Sequence, residues 1–137
     1  MNKFLLFKYL FAKAQDSYER KEFRIALQYL NETIFLSFSL PKKFISDTYE
    51  LRGIIKMNLN QYMGSVIDFN KAIYLSPRNA SLYFYRYLSY SVLSQYDEAI
   101  ADCKKLIELE PHKRIHHDNL KNIVKLKKMI YFLSFES

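Results

Sequence analysis

A block of residues recurs in this chain at an offset of 34, and no other feature constrains its fold as strongly. Segment 95–111, QYDEAIADCKKLIELEP, matches segment 61–77, QYMGSVIDFNKAIYLSP, at seven of its positions. Three further identities precede them at the same offset, Tyr49 with Tyr83, Arg52 with Arg86 and Leu59 with Leu93. A fixed period of about 20 to 50 residues is typical of stacked structural repeats.

Each copy has the pattern of two helices. In the last copy Tyr83, Tyr87 and Tyr90 recur at helical spacing, and a second helix follows after a short break. Pro111 ends that second helix, because proline cannot continue the helical hydrogen-bond ladder. The chain has only two glycines and three prolines, which also favours helices over a fold rich in tight turns.

A third and less regular copy lies upstream, at an offset of 39. About five extra residues therefore fall within 37–44, and we expect a longer second helix or loop that ends near Pro41. The predicted repeats are 7–45, 46–79 and 80–113. Paired positions include Ala14 with Gly53, Phe23 with Tyr62, Ala26 with Ser65, Leu27 with Val66, Leu30 with Phe69 and Ile34 with Ile73.

These residues resemble the tetratricopeptide repeat (TPR), a 34-residue pair of helices. The resemblance implies an all-α fold, a right-handed α-α superhelix (TPR solenoid) of about seven helices forming a single domain over residues 1–137. Segment 114–133 matches the capping helix usual in the family. Tyr87 stands where the family has glycine, so we expect the third helix pair to be spread wider. The matching residues are Tyr83, Leu88, Tyr90, Leu93, Tyr96, Ala99, Ile100 and Pro111 in the last copy, and Tyr49, Gly53, Leu59, Tyr62, Phe69, Ala72 and Pro77 in the middle one.

No group of residues in the sequence has the composition of a catalytic or metal site. The three histidines, His112, His116 and His117, lack further ligands nearby, and we expect them to be exposed. Cys103 falls on a buried helix face and should behave as a small hydrophobic residue. Asp102 is expected on the solvent side of its helix. The sequence therefore predicts a protein that is not an enzyme, with no catalytic residue, cofactor or metal.

The resemblance implies a ligand groove lined by the first helix of each repeat. Its lining is apolar, so we predict an adaptor, scaffold or small chaperone that binds a protein or peptide with an apolar segment. An end helix or a second copy of the chain is the alternative occupant, and a homodimer or a subunit of a larger complex is the corresponding assembly. The predicted groove residues are Phe11, Gln15, Tyr18, Glu50, Ile54, Met57, Phe84, Leu88 and Ser91.

One TPR subgroup holds the C-terminal carboxylates of heat-shock chaperones with basic and amide side chains. At the positions assigned to that clamp, this chain has Phe11, Gln15, Leu51, Leu82 and Arg86. Only the last of these is basic, and a buried carboxylate needs charge-assisted hydrogen bonds. The sequence therefore predicts that heat-shock chaperone tails are not ligands.

The C-terminal helix carries a basic strip, Lys121, Lys125 and Lys128, in a chain of net charge +7. Nucleic acid or another acidic partner at this strip is the alternative function. A single cysteine and the lack of a membrane-spanning run predict a cytoplasmic protein. Export is the alternative if residues 1–14 are a signal peptide, although Lys8 interrupts their apolar run.

Overall fold

The computed structural model describes residues 2–136, and these form seven α-helices and no strand. The predicted all-α class and helix number are therefore confirmed for the described residues. A short 3-10 turn, Ser37–Ser39, lies between the second and third helices. The helices are α1 Lys3–Glu19, α2 Phe23–Leu36, α3 Lys42–Asn58, α4 Tyr62–Leu75, α5 Ala80–Val92, α6 Tyr96–Leu109 and α7 Arg114–Glu136.

The chain divides into two compact units, Met1–Pro77 and Arg78–Ser137. In the first unit α1 packs on α2, α2 on α3 and α3 on α4. In the second unit α5 packs on α6 and α6 on α7. Each helix therefore covers the apolar face of a helix that precedes or follows it in sequence.

The three turns between paired helices share one backbone conformation. Lys21, Asn60 and Ser94 each have φ near +60°, in the left-handed region. The residue after each turn donates its N–H to a carbonyl five residues earlier, as Gln61 does to Lys56 at 2.8 Å. This is the Schellman ending of a helix, in which glycine is the usual left-handed residue. Three non-glycine residues thus occupy the strained position.

The extra residues of the first repeat do not lengthen its second helix. Helices α2, α4 and α6 each have 14 residues. The insertion instead forms the 3-10 turn and extra residues in α3, which has 17 residues against 13 in α5. Pro41 precedes α3 with φ of −55°, a value that suits the start of a helix.

Two buried ion pairs occupy equivalent places in the second and third repeats. Arg52 donates to both carboxylate oxygens of Asp68, at 3.0 and 2.7 Å. Arg86 donates to both oxygens of Asp102 in the same way, at 3.0 and 2.6 Å. The expectation that Asp102 faces solvent is wrong, since the residue is only 2% exposed and the arginine supplies its counter-charge.

At one helix–helix contact in each repeat, a large side chain on one helix faces a small side chain on the other. The first repeat has Ala14 and Leu30 in one buried cluster. In the second, Gly53 faces the ring of Phe69. In the third, Tyr87 packs against the cluster that contains Cys103. The small Cys103 stands where the second repeat has phenylalanine, which makes room for a tyrosine where glycine is usual.

Candidate peptide-binding clefts

A cleft of ≈ 230 Å³ lies between α1 and α3 in the first unit. Residues at spacings of three and four fall on one face of a helix, which is how each helix presents several side chains to the cleft. Of the predicted groove residues, four are brought together here. The lining residues are Phe11 and Gln15 from α1, and Asp47, Glu50, Leu51 and Ile54 from α3.

This first cleft has an apolar floor and an acidic border. Phe11 stacks on Phe7, with ring centroids 5.9 Å apart, and is half-buried against the core of the first unit. Leu51 also packs against the buried core. Asp47 lies on the border and forms an exposed ion pair with Lys43 at 3.1 Å. The cleft therefore suits an apolar side chain better than a carboxylate.

Two other predicted groove residues of the first unit do not line this cleft. Tyr18 packs against Phe23, with ring centroids 5.9 Å apart, and contributes to the core. Met57 is half-buried on α3, beyond the cleft residues. The prediction missed Asp47 as a lining residue, although its spacing of three from Glu50 was the available signal.

A second cleft, of ≈ 320 Å³, lies within the second unit. Phe84 is the predicted groove residue that lines it, and its ring contacts those of Tyr85 and Tyr87 at 5.8 and 6.4 Å. Leu88 and Ser91 lie farther along α5, both half-buried. The other lining residues, which the prediction missed, are Ala80, Ser81, Leu106, Glu110, Lys113, Ile115 and His116.

His116 is buried, which contradicts the expectation that all three histidines are exposed. Its Nε2 lies 2.7 Å from a carboxylate oxygen of Glu110, and only 5% of the residue is accessible. The hydrogen bond from His116, aided by Lys113, lowers the pKa of Glu110 below its ordinary value. His112 and His117 are exposed. The buried histidine therefore ties the residue after α6 to the first turn of α7.

Of the residues assigned to a carboxylate clamp, Phe11, Gln15 and Leu51 line the first cleft, and Leu82 and Arg86 belong to the second unit. Leu82 has no exposed area. Arg86 is held by Asp102, and its guanidinium also lies over the rings of Tyr83 and Tyr90. Leu82 therefore cannot contact a ligand, and the guanidinium of the half-buried Arg86 is already engaged by a carboxylate.

The remaining singled-out residues have simple environments. Lys121, Lys125 and Lys128 are exposed on α7, as expected of a basic strip. Cys103 is fully buried, and burial followed by the nearby Asp102 raises its pKa to about 12. Such a thiol stays protonated and is a poor nucleophile. Among residues 2–136, no three His, Cys, Asp or Glu side chains are grouped so as to hold a metal ion.

Comparison with known proteins identifies the architecture. A family model described as "Tetratricopeptide repeat" matches residues 88–113. The chain also aligns with a yeast structure, "Hsp90 co-chaperone Cns1 from Saccharomyces cerevisiae (delta69)", at a TM-score of 0.88 and 15% identity, covering 99% of this chain and 44% of that one. Residues 88–113 thus match a tetratricopeptide repeat, and the described residues have the fold of TPR structures. TPR domains typically mediate protein–protein interactions and are generally not enzymes.

Two further TPR structures are similar and were solved with peptides. One is "First TPR of Spaghetti (RPAP3) bound to HSP90 peptide SRMEEVD", with a TM-score of 0.77, 18% identity, and coverage of 89% of this chain and 95% of that one. The other is the second TPR domain of human RPAP3 in complex with the HSP70 peptide SGPTIEEVD, with a TM-score of 0.78, 15% identity, and coverage of 89% and 98%.

One curated relative also has a name that refers to heat-shock chaperones. "Hsp70-Hsp90 organizing protein 2" from Arabidopsis thaliana is 33% identical over 67 residues, which is 49% of this chain and 12% of that protein. The match thus spans a small part of the relative's length.

The sequence-based exclusion of heat-shock chaperone tails as ligands is therefore wrong. TPR structures of the same fold bind HSP90 and HSP70 peptides, and the curated relative carries both chaperones in its name. The exclusion relied partly on Leu82, which is fully buried, and on Arg86, which is half-buried and paired with Asp102.

No helix within residues 2–136 combines the length and the apolar character that crossing a bilayer requires.

Proposed function

We propose that this chain is a TPR co-chaperone module that binds the C-terminal peptide of a heat-shock chaperone of the HSP90 or HSP70 type. The observation that carries the proposal is the apolar cleft between α1 and α3, in a fold whose structural neighbours are bound to such peptides. The resemblance to the family implies that first helices face the ligand, and α1 and α3 are the first helices of two successive repeats. We expect no catalytic activity.

The apolar residues of the peptides fit the apolar floor of the cleft, whereas its acidic border repels their carboxylates. SRMEEVD and SGPTIEEVD each carry apolar residues, Met or Ile and then Val, among their carboxylates. In our proposal an apolar side chain of the peptide packs on Phe11, Leu51 and Ile54, which excludes water from their surfaces. The net charge of +7 attracts the acidic peptide at long range.

Titration of the purified chain with labelled SRMEEVD and SGPTIEEVD, followed by fluorescence anisotropy, tests the proposal. We expect saturable binding in the micromolar range. A carboxylate placed at the apolar floor should weaken it, so Ile54→Glu should reduce the affinity by about tenfold or more. Ile67→Glu is the matched control, because Ile67 is 64% exposed on α4 and does not line the cleft.

Removal of the acidic border should have the opposite effect. Glu50→Lys replaces a like charge with an opposite one beside an acidic peptide, and we expect severalfold tighter binding at low salt. Circular dichroism first establishes that every variant is folded. The proposal fails if neither peptide saturates the protein, or if Ile54→Glu and Ile67→Glu bind alike.

A further inference from the structure

The last turns of α7 are apolar on every side and are not covered by the rest of the chain. Successive helical residues are 100° apart, so the seven residues of 129–135 encircle the helix. Six of the seven are large and apolar, and Ser134 is the exception. Their exposed fractions are 51% for Met129, 44% for Ile130, 62% for Tyr131, 69% for Phe132, 58% for Leu133 and 73% for Phe135.

The preceding part of α7 has a different character. Ile123 is buried and Leu120 packs beside it, so this part is attached to α6 by one face. Its other faces carry the exposed Lys121, Lys125 and Lys128. A basic, one-sided helix therefore leads directly into an apolar, uncovered one.

The charges around this junction are mostly positive. Lys127 is paired with Asp97 of α6, and Arg114 with Asp118 at the start of α7. Glu136 follows the apolar segment. Within residues 2–136 no carboxylate forms an ion pair with Lys121, Lys125 or Lys128, so these three ammonium groups form an exposed positive strip beside the apolar segment.

We infer that α7 docks on an anionic membrane surface, with residues 129–135 inserted at the boundary of headgroups and acyl chains and the lysine strip among the headgroups. Seven helical residues extend about 10 Å, which is about a third of the hydrocarbon thickness of a bilayer. The segment therefore reaches into one leaflet and does not span the membrane. Lysines beside a short apolar element are the combination that anionic lipid surfaces bind.

The distribution of the apolar side chains favours lipid over a protein partner. A helix that docks on a protein needs one apolar stripe, because its other faces stay in water. Phe132 and Ile130 lie about 160° apart around the helix, so a single flat protein surface leaves one of them wet. Acyl chains surround an inserted helix and cover both. The inference does not depend on the proposed peptide binding, which uses the first unit.

Flotation of the full chain with lipid vesicles tests the inference. We expect it to float with phosphatidylcholine–phosphatidylserine vesicles, much less with phosphatidylcholine alone, and less as salt rises. The charge reversal Lys121→Glu/Lys125→Glu/Lys128→Glu should lower the partition coefficient by at least about a hundredfold. Ile130→Ser/Phe132→Ser/Phe135→Ser should abolish binding. Phe35→Ser/Phe38→Ser is the control, since both phenylalanines are exposed in the other unit.

A fluorescent probe gives an independent readout. The chain has no tryptophan, so Phe132→Trp introduces a single one. Its emission should shift to the blue with anionic vesicles and be quenched by brominated acyl chains. The inference is overturned if the wild type does not float, or if the control loses binding as the apolar variant does. It is also overturned if sedimentation shows a dimer that only the Ile130→Ser/Phe132→Ser/Phe135→Ser variant dissociates, without vesicle binding.

Discussion

Gly53 lies so close to Phe69 that a Cβ atom at the glycine would be 2.6 Å from Cε1 of the ring. Phe69 is fully buried and has little room to move. We therefore expect Gly53→Ala to destabilise the protein by about 1 to 3 kcal/mol in urea unfolding, despite the better helix propensity of alanine. Gly64→Ala is the milder comparison, because the atom nearest the new Cβ would be Cδ of the Lys56 side chain, at 3.2 Å. Equal stability of both variants would contradict this account.

In the third repeat the large and small side chains are exchanged, with Tyr87 and Cys103 at the places of Gly53 and Phe69. We therefore expect that the third repeat can be given the packing of the second. Tyr87→Gly alone removes a packed ring and should cost about 3 kcal/mol or more. Cys103→Phe alone overfills the same contact. Combined, the two changes reproduce Gly53 with Phe69, and a double-mutant cycle should show at least about 1 kcal/mol of favourable coupling. Additive effects would mean that the two side chains do not share one space.

Removal of the arginine should affect the two buried ion pairs unequally. Arg86→Met leaves Asp102 buried without its cation and should cost about 3 to 5 kcal/mol. Arg52→Met should cost less, because Lys56 Nζ remains 3.0 Å from Asp68 Oδ2. Denaturant unfolding of both variants measures the difference. Arg52→Met as damaging as Arg86→Met would show that the lysine does not replace the arginine.

The left-handed turn residues offer a route to greater stability. A non-glycine residue in this conformation costs about 1 to 2 kcal/mol relative to the right-handed form. Ser94→Gly and Lys21→Gly should therefore raise the free energy of unfolding, each by up to about 1 kcal/mol, which shows as a higher unfolding midpoint. Ser91→Gly is the contrasting control, since Ser91 lies within α5, where glycine is unfavourable. A lower midpoint for Ser94→Gly would contradict the strain argument.

The contact between His116 and Glu110 predicts a dependence of stability on acid pH. Because the pKa of Glu110 is lowered in the folded state, its contribution is present above the ordinary value of 4.5 and is lost as the pH falls through the folded pKa. Glu110→Gln should therefore lose less stability than the wild type on acidification, as measured by urea midpoints. Burial raises the pKa of Asp102, which acts with the opposite sign, but in both proteins alike. Glu108→Gln, on the exposed side of α6, should behave as the wild type does.

The helices were predictable because the repeat aligns two copies against each other. Ten identities at one offset locate helix starts, turns and the terminating prolines together. The lengthening of α3 rather than α2 was not predictable, since no second copy carries the insertion. Tertiary packing decides which helix takes the extra residues.

The burial of Asp102 was missed although the sequence contained a signal for it. Asp97 and Glu98 are exposed acids in the same helix, and Asp102 was grouped with them. The Arg52–Asp68 and Arg86–Asp102 spacings are both 16 residues, so the two residue types recur as a pair. A charge conserved with an opposite charge across two copies is better explained by an ion pair than by solvent exposure.

The candidate clefts were predictable only in part. Phe11, Gln15, Glu50 and Ile54 share a cleft because helical spacing places each pair on one face. Tyr18 has suitable spacing as well, but its ring packs against Phe23 of α2 and so belongs to the core. Contacts between helices, which the spacing within one helix does not contain, decide between these outcomes.

The buried ion pairs have a consequence for how such a chain can grow or shrink. Each pair joins two helices of the same repeat, so the charge balance inside one copy does not depend on the next. Duplication of a whole 34-residue repeat copies the arginine and its carboxylate together. Loss of half a repeat removes one of the two residues and leaves the other charge without its partner. A change in repeat number by whole copies therefore keeps every such carboxylate paired, whereas a change by half a copy leaves a buried charge without its partner.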